Sequence, residues 1–140
     1  MDGSLYQIKD AGLLILKIGI GGMMVYHGLP KILGGAGMWN NLGKAINNFG
    51  ITWGFTFWGF MSAFAEFFGG IALILGLYLP LFCSLLVINM IVATVMHLKK
   101  GDGLPVATHP IENGIVFLSL IFIGAGKLNI VELCKILFKK

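Results

Sequence analysis

The sequence predicts an all-α integral membrane protein, a bundle of four transmembrane helices with little mass outside the bilayer. Three observations carry this reading. Of the 140 residues, 57% are hydrophobic and only 11% charged, and the mean hydropathy of +0.90 exceeds what a soluble domain of this size needs to fill its core. Four apolar stretches each approach the roughly 20 residues that a helix requires to cross the hydrocarbon. The connectors between them are too short to form a separate soluble domain, so residues 1–140 read as one transmembrane unit.

The first span is placed at residues 12–33. It is longer than the apolar core of a signal peptide and runs into Gly34-Gly35-Ala36-Gly37 and Trp39 without a small-x-small cleavage site, so it is predicted to stay in the membrane. In the following connector, Trp39, Leu42, Ala45, Ile46 and Phe49 recur at helical spacing between polar residues, which predicts a short interfacial helix over 38–49. The second span covers 53–79. Its small residues four apart, Gly59/Ala63, Ala65/Gly69 and Ala72/Gly76, let a neighbouring backbone come close and mark it as central to the packing. Tyr78-Leu79-Pro80 predicts a tight reversal into the third span, 81–98, because proline cannot continue a helix but suits the first turn of the next. His109-Pro110 sets the start of the fourth span, 111–126, by the same logic.

The net charge of +4 comes entirely from lysines, with no arginine, and these sit at the edges of apolar runs and form no basic face. That argues against nucleic acid as a partner and against bidentate phosphate recognition. An even number of spans puts both termini on one side. That side carries Lys9, Lys127, Lys135, Lys139 and Lys140 against Lys31, Lys44, Lys99 and Lys100 on the other, so the positive-inside rule favours cytoplasmic termini. Cys83 and Cys134 have no redox or metal spacing and read as apolar side chains; no metal is expected.

Ionisable groups inside apolar spans are costly and mark candidate sites. By the helical rise, His27 and His97 each lie about 24 Å from the start of their spans, at matched depth near the outer face, where Lys31, His109 and Glu112 also fall. His27 and His97 are therefore expected to face one cavity. Glu66 sits near the middle of the second span, where a carboxyl must be protonated or paired; Lys17 and His27 are its nearest cations in depth, and Asn89 can complete the network. The candidate ligand-binding set is His27, Lys31, Glu66, Asn89, His97 and Glu112, with Glu66, His27 and His97 as catalytic candidates. Plain structural roles stand beside these: Glu112 as a helix cap, the lysines as snorkelling anchors, the histidines as interhelical hydrogen-bond partners.

Several stretches taken in order resemble the DoxX family of small four-helix membrane proteins. They are Leu16-Lys17-Ile18-Gly19, His27-Gly28-Leu29-Pro30-Lys31, Ala65-Glu66-Phe67-Phe68-Gly69-Gly70, Leu75-Gly76-Leu77, Met90-Ile91-Val92-Ala93 with His97, Glu112, and Gly124-Ala125-Gly126-Lys127-Leu128. Lys17 and Lys127 stand where that family usually has arginine, and Asn129-Ile130 replaces its Ser-Leu-Asp ending. The resemblance implies a bacterial inner-membrane bundle and an association with thiosulfate:quinone or thiol-redox complexes.

The leading expectation is a redox-linked subunit that binds a quinone-like or other small apolar ligand near the outer mouth of the bundle. Histidine and a neutralised carboxyl are suited to exchanging protons with quinone carbonyls in a dry slot. No flavin, nicotinamide or iron–sulfur motif is present, so electrons must come from a redox protein partner in a homo- or hetero-oligomer. Three other readings remain open: a solute or proton carrier using Glu66, a haem protein ligated by His27 and His97, and an assembly scaffold without chemistry. No covalent cofactor is expected.

Overall fold

The computed structural model describes residues 2–128 together with 130 and 134. Lys135, Lys139 and Lys140, on which the charge argument partly rests, lie outside the described residues. Among those described, every regular element is helical: α1 (Asp2–Leu33), α2 (Gly35–Gly43), a 3-10 helix (Lys44–Phe49), α3 (Phe55–Leu75), α4 (Leu79–Lys100) and α5 (Leu104–Ile123). Helices α3, α4 and α5 are long and apolar enough to cross a membrane, with mean hydropathies of 1.6, 2.3 and 1.5. Large apolar side chains such as Ile15, Phe57, Ile88, Ile115 and Phe122 stand exposed on the outside of the helices. Lipid is the solvent that accepts such a surface, because helices satisfy their own backbone polar groups.

Helix α3 is the hub. Its C-terminal half packs on α1, its N-terminal half on α2, and α4 packs on another side and carries α5 in turn. The backbones of α1 and α3 touch through glycines: a Cβ on Gly28 would lie 2.4 Å from Phe67 N, and one on Gly70 would lie 2.6 Å from Gly21 O. Gly59 meets the carbonyl of Trp39 on α2, and Gly69 receives Leu86 of α4. Two of the small-residue positions read from the sequence are thus used, while the α3 glycine that meets α1 is Gly70, which that spacing did not single out. The core is formed by Met24, Leu73, Leu79, Cys83, Leu86, Met90, Phe117 and Leu120, drawn from α1, α3, α4 and α5.

At one end of the bundle, here the tail end, Asp10 of α1 accepts a hydrogen bond from Lys127 N at 3.2 Å, so residues 10 and 127 lie at the same end. Nearby, Lys17 is fully buried and donates to the carbonyl of Ala125 and to that of Leu128 at 3.5 Å. Carbonyls just past a helix C-terminus have no intrahelical donor, and a cation there also meets the negative end of the helix dipole. The opposite, head end carries α2, the 3-10 helix and the α4–α5 turn.

Several helix limits differ from the sequence expectation. Helix α1 extends back to Asp2, since nothing in residues 2–11 stops it, and α3 is shorter than 53–79. Gly76 (φ +74°) closes α3 by donating to Leu73 O, and Leu77 N donates to Ala72 O. Tyr78 (φ +46°) then begins α4 with Pro80 in its first turn, which makes the reversal even tighter than Tyr78-Leu79-Pro80 implied. Helix α5 starts at Leu104, not at residue 111, because Pro105 is the proline in its first turn and Pro110 lies inside it. Glu112 therefore sits in the helix body and cannot cap a helix beginning at Pro110. The 38–49 segment is divided into the end of α2 and the 3-10 helix.

Candidate functional site

Glu66 lies eleven residues after Phe55 and nine before Leu75 in α3, about 16 and 14 Å from its ends by the helical rise. It is 5% exposed. Both carboxylate oxygens accept from Lys31 Nζ, at 2.7 and 2.5 Å, and Oε1 also accepts from Asn89 Nδ2 at 2.8 Å. A buried charge survives only when paired and hydrogen-bonded, and this cluster supplies both.

The partner is Lys31, not the Lys17 or His27 that depth alone favoured. Helix α1 meets α3 with Gly28 against Glu66 and Phe67, and Lys31 follows one turn later. The head-end half of α3 is covered by α2 instead of α1, so a lysine at the end of α1 reaches the middle of α3. Trp39 Nε1 donates to Lys31 O at 2.9 Å and fixes the α1–α2 corner, while the Trp39 ring lies edge-on to Phe60 at 5.0 Å.

This cluster opens on a cavity of about 440 Å³ between α3 and α4, roofed by Leu42, Ala45 and Ile46. Its walls are mainly apolar, including Phe57, Met61, Ile88 and Met96, with Lys31, Ser62, Glu66, Asn89 and His97 as the polar contributors. The volume falls within the usual range for small-molecule sites, and so does the ratio of apolar wall to a few polar groups. Trp58 also lines it, and its indole Nε1 is buried without a hydrogen-bond partner among the described residues.

His97, in the last turn of α4, reaches the same cavity, and its Nδ1 lies 2.7 Å from Asp102 Oδ2. Asp102 and Trp58 went unnoticed in the sequence. An Asp between two glycines five residues after a histidine was the available signal for the first; none existed for the second. His27 does not join His97. Its ring lies 5.5 Å from that of Tyr26 and 6.2 Å from that of His109 on α5, and His27 is not among the residues lining the cavity. The expected His27–His97 face-to-face arrangement is absent among the described residues. Glu112 is exposed on α5, away from the cavity lining. Among the described residues no group of three or more His, Cys, Asp or Glu side chains is placed to hold a metal ion.

The family model described as DoxX matches residues 12–98. The chain belongs to the DoxX family. The matched segment runs from the apolar part of α1 to the last turn of α4, and includes His27, Lys31, Glu66, Asn89 and His97. The DoxX assignment and the three long apolar helices together make this a membrane protein. Neither curated proteins nor solved structures gave a match. A second cavity of this DoxX protein, about 300 Å³ between α4 and α5, is lined almost wholly by apolar side chains such as Val87, Ile91 and Leu118.

Proposed function

We propose that this DoxX protein is a four-span bundle of the bacterial inner membrane, with both termini cytoplasmic, acting as a redox-linked subunit that binds a quinone-like or similarly small apolar ligand. The observation that carries the reading is the 440 Å³ cavity, with apolar walls and the Lys31–Glu66–Asn89 cluster on its surface. Such a ligand leaves its tail among the apolar side chains and among lipid. Its carbonyl oxygen accepts from Lys31 or Asn89, both of which carry more donor hydrogens than Glu66 uses. The electrons that reduce a quinone come from a partner oxidoreductase in a homo- or hetero-oligomeric complex. The Lys31 ion pair counts against the carrier reading, in which Glu66 must be free to change partners.

Organic extraction of protein purified in mild detergent, followed by mass spectrometry, tests the proposal. Wild-type protein should release a stoichiometric quinone. Ala93→Phe, which fills the cavity from α4 one turn beyond Asn89, should release at least tenfold less, and Glu66→Gln should do the same by disturbing Lys31 and Asn89. Folded Glu66→Gln and Ala93→Phe proteins that retain wild-type ligand would favour the scaffold reading.

A further inference from the structure

We infer that Asp102 is a positioning residue for a second polar end of this cavity: it holds His97 so that Nε2 serves as the proton-exchanging atom between the bound ligand and water at the head end. The inference rests on the ligand reading above. Asn89 and His97 line the same cavity from one helix, eight residues apart, or about 12 Å along α4. The cavity thus has a buried polar cluster at one level and an imidazole two turns nearer the head end.

The turn after α4 is built around this contact. Gly101 (φ +85°) and Gly103 (φ +81°) adopt the left-handed backbone that side chains resist. Between them Asp102 N donates to His97 O at 3.1 Å, and its carboxylate meets Nδ1 of the same residue at 2.7 Å. Asp102 is therefore tied to His97 by main chain and side chain together. An ionised carboxylate can only accept, so Nδ1 carries the hydrogen and Nε2 is left with its lone pair. No protein hydrogen bond to Nε2 exists among the described residues. Both side chains are 27% exposed, so the pair is not sealed inside the helix packing.

Among the other charged groups of the neighbouring elements, exposed Lys100 makes no hydrogen bond to His97 or Asp102, and Lys31, Glu66, Lys99 and Lys44 are engaged elsewhere. Lys31 and Glu66 bind each other, Lys99 donates to Asn48 O of the 3-10 helix at 2.7 Å, and Lys44 donates to Asn41 at 3.3 Å. On α5, His109 faces His27 and Asn113, and Glu112 is exposed. When a partner oxidoreductase has put electrons on the bound quinone, Nε2 takes a proton from head-end water, and the imidazolium held by Asp102 passes it on: the Nε2–H bond breaks, its electron pair stays on nitrogen, and an O–H bond forms at the ligand oxygen. The ring thereby returns to its Nδ1–H form. A carboxylate behind a histidine fixes the ring's orientation and tautomer for such a transfer.

Nitrogen NMR of histidine-labelled protein in nanodiscs, without ligand and at alkaline pH, tests the assignment. His97 should be the Nδ1–H tautomer in wild-type protein. Asp102→Asn should shift it mainly to Nε2–H, Asp102→Glu should restore it, and the His27 and His109 signals should not move. His97 found as Nε2–H in wild-type protein, or unchanged in Asp102→Asn, would overturn the inference. Added decylubiquinone should then shift the Nε2 resonance. Bound decylubiquinone that leaves this resonance unmoved would refute the proton-exchange role while the ligand reading stands. The expected tautomers with no decylubiquinone bound would remove the ligand reading and leave the Asp102 assignment in place.

Discussion

Lys31→Met is expected to destabilise the protein by about 3–5 kcal/mol, because it strands a buried carboxylate. Glu66 is 5% exposed, and without Lys31 it keeps only the Asn89 hydrogen bond. Glu66→Gln should cost far less, about 1–2 kcal/mol. Gln retains an acceptor for Asn89, and the Lys31 side chain, 29% exposed, has a route to water along its own stem. Combining the two substitutions should recover most of what Lys31→Met loses, since no buried charge then lacks a partner. Unfolding of all four proteins in mixed micelles, analysed as a double-mutant cycle, measures this directly. Purely additive losses would mean that the two residues do not interact in the membrane.

The second large effect is expected at the α2–α3 crossing. A Cβ on Gly59 would lie 1.7 Å from Trp39 O, and one on Gly43 equally close to Phe55 O, so even alanine cannot enter without driving the helices apart. Gly59→Ala should cost at least 1–3 kcal/mol, the usual penalty of overpacking. Because α2 and the 3-10 helix roof the cavity, it should also lower ligand retention. Gly19→Ala is the control: nothing lies within 4 Å of a Cβ there, and alanine's better helix propensity should leave stability equal or up to about 1 kcal/mol higher. Equal melting of the Gly59 and Gly19 variants would show that α2 does not seat on α3 in this way.

Hydropathy revealed the long apolar runs because a span must satisfy its length and composition locally. The cost of a carboxyl in lipid identified Glu66 for the same reason, and Asn89 followed as the neutral polar group of the next span. The partner was not legible. Whether Lys31 or Lys17 meets Glu66 depends on how α1 slides along α3, and that register is set by Gly28 against Phe67 and Gly21 against Gly70. A one-dimensional depth count treats all spans as starting level, so it set His27 opposite His97. The start of α5 turned on which of two prolines lies in the first turn, Pro105 or Pro110, and that choice decided the role of Glu112. Asp102 escaped notice because its contact is made by a glycine-flanked turn, where no periodic pattern operates.

The proposed ligand site is the α3–α4 cavity, with the Lys31–Glu66–Asn89 cluster at its polar wall. Photolabelling of the membrane-embedded protein with an azido-quinone, with the modified residues located by peptide mass spectrometry, tests it most directly. Labels are expected on the cavity faces of α3 and α4, around Met61, Ile88 and Met96, suppressed by excess unlabelled quinone and by Ala93→Phe. Competable labelling confined to the α4–α5 groove at Val87, Ile91 and Leu118, or no competable labelling at all, would contradict it.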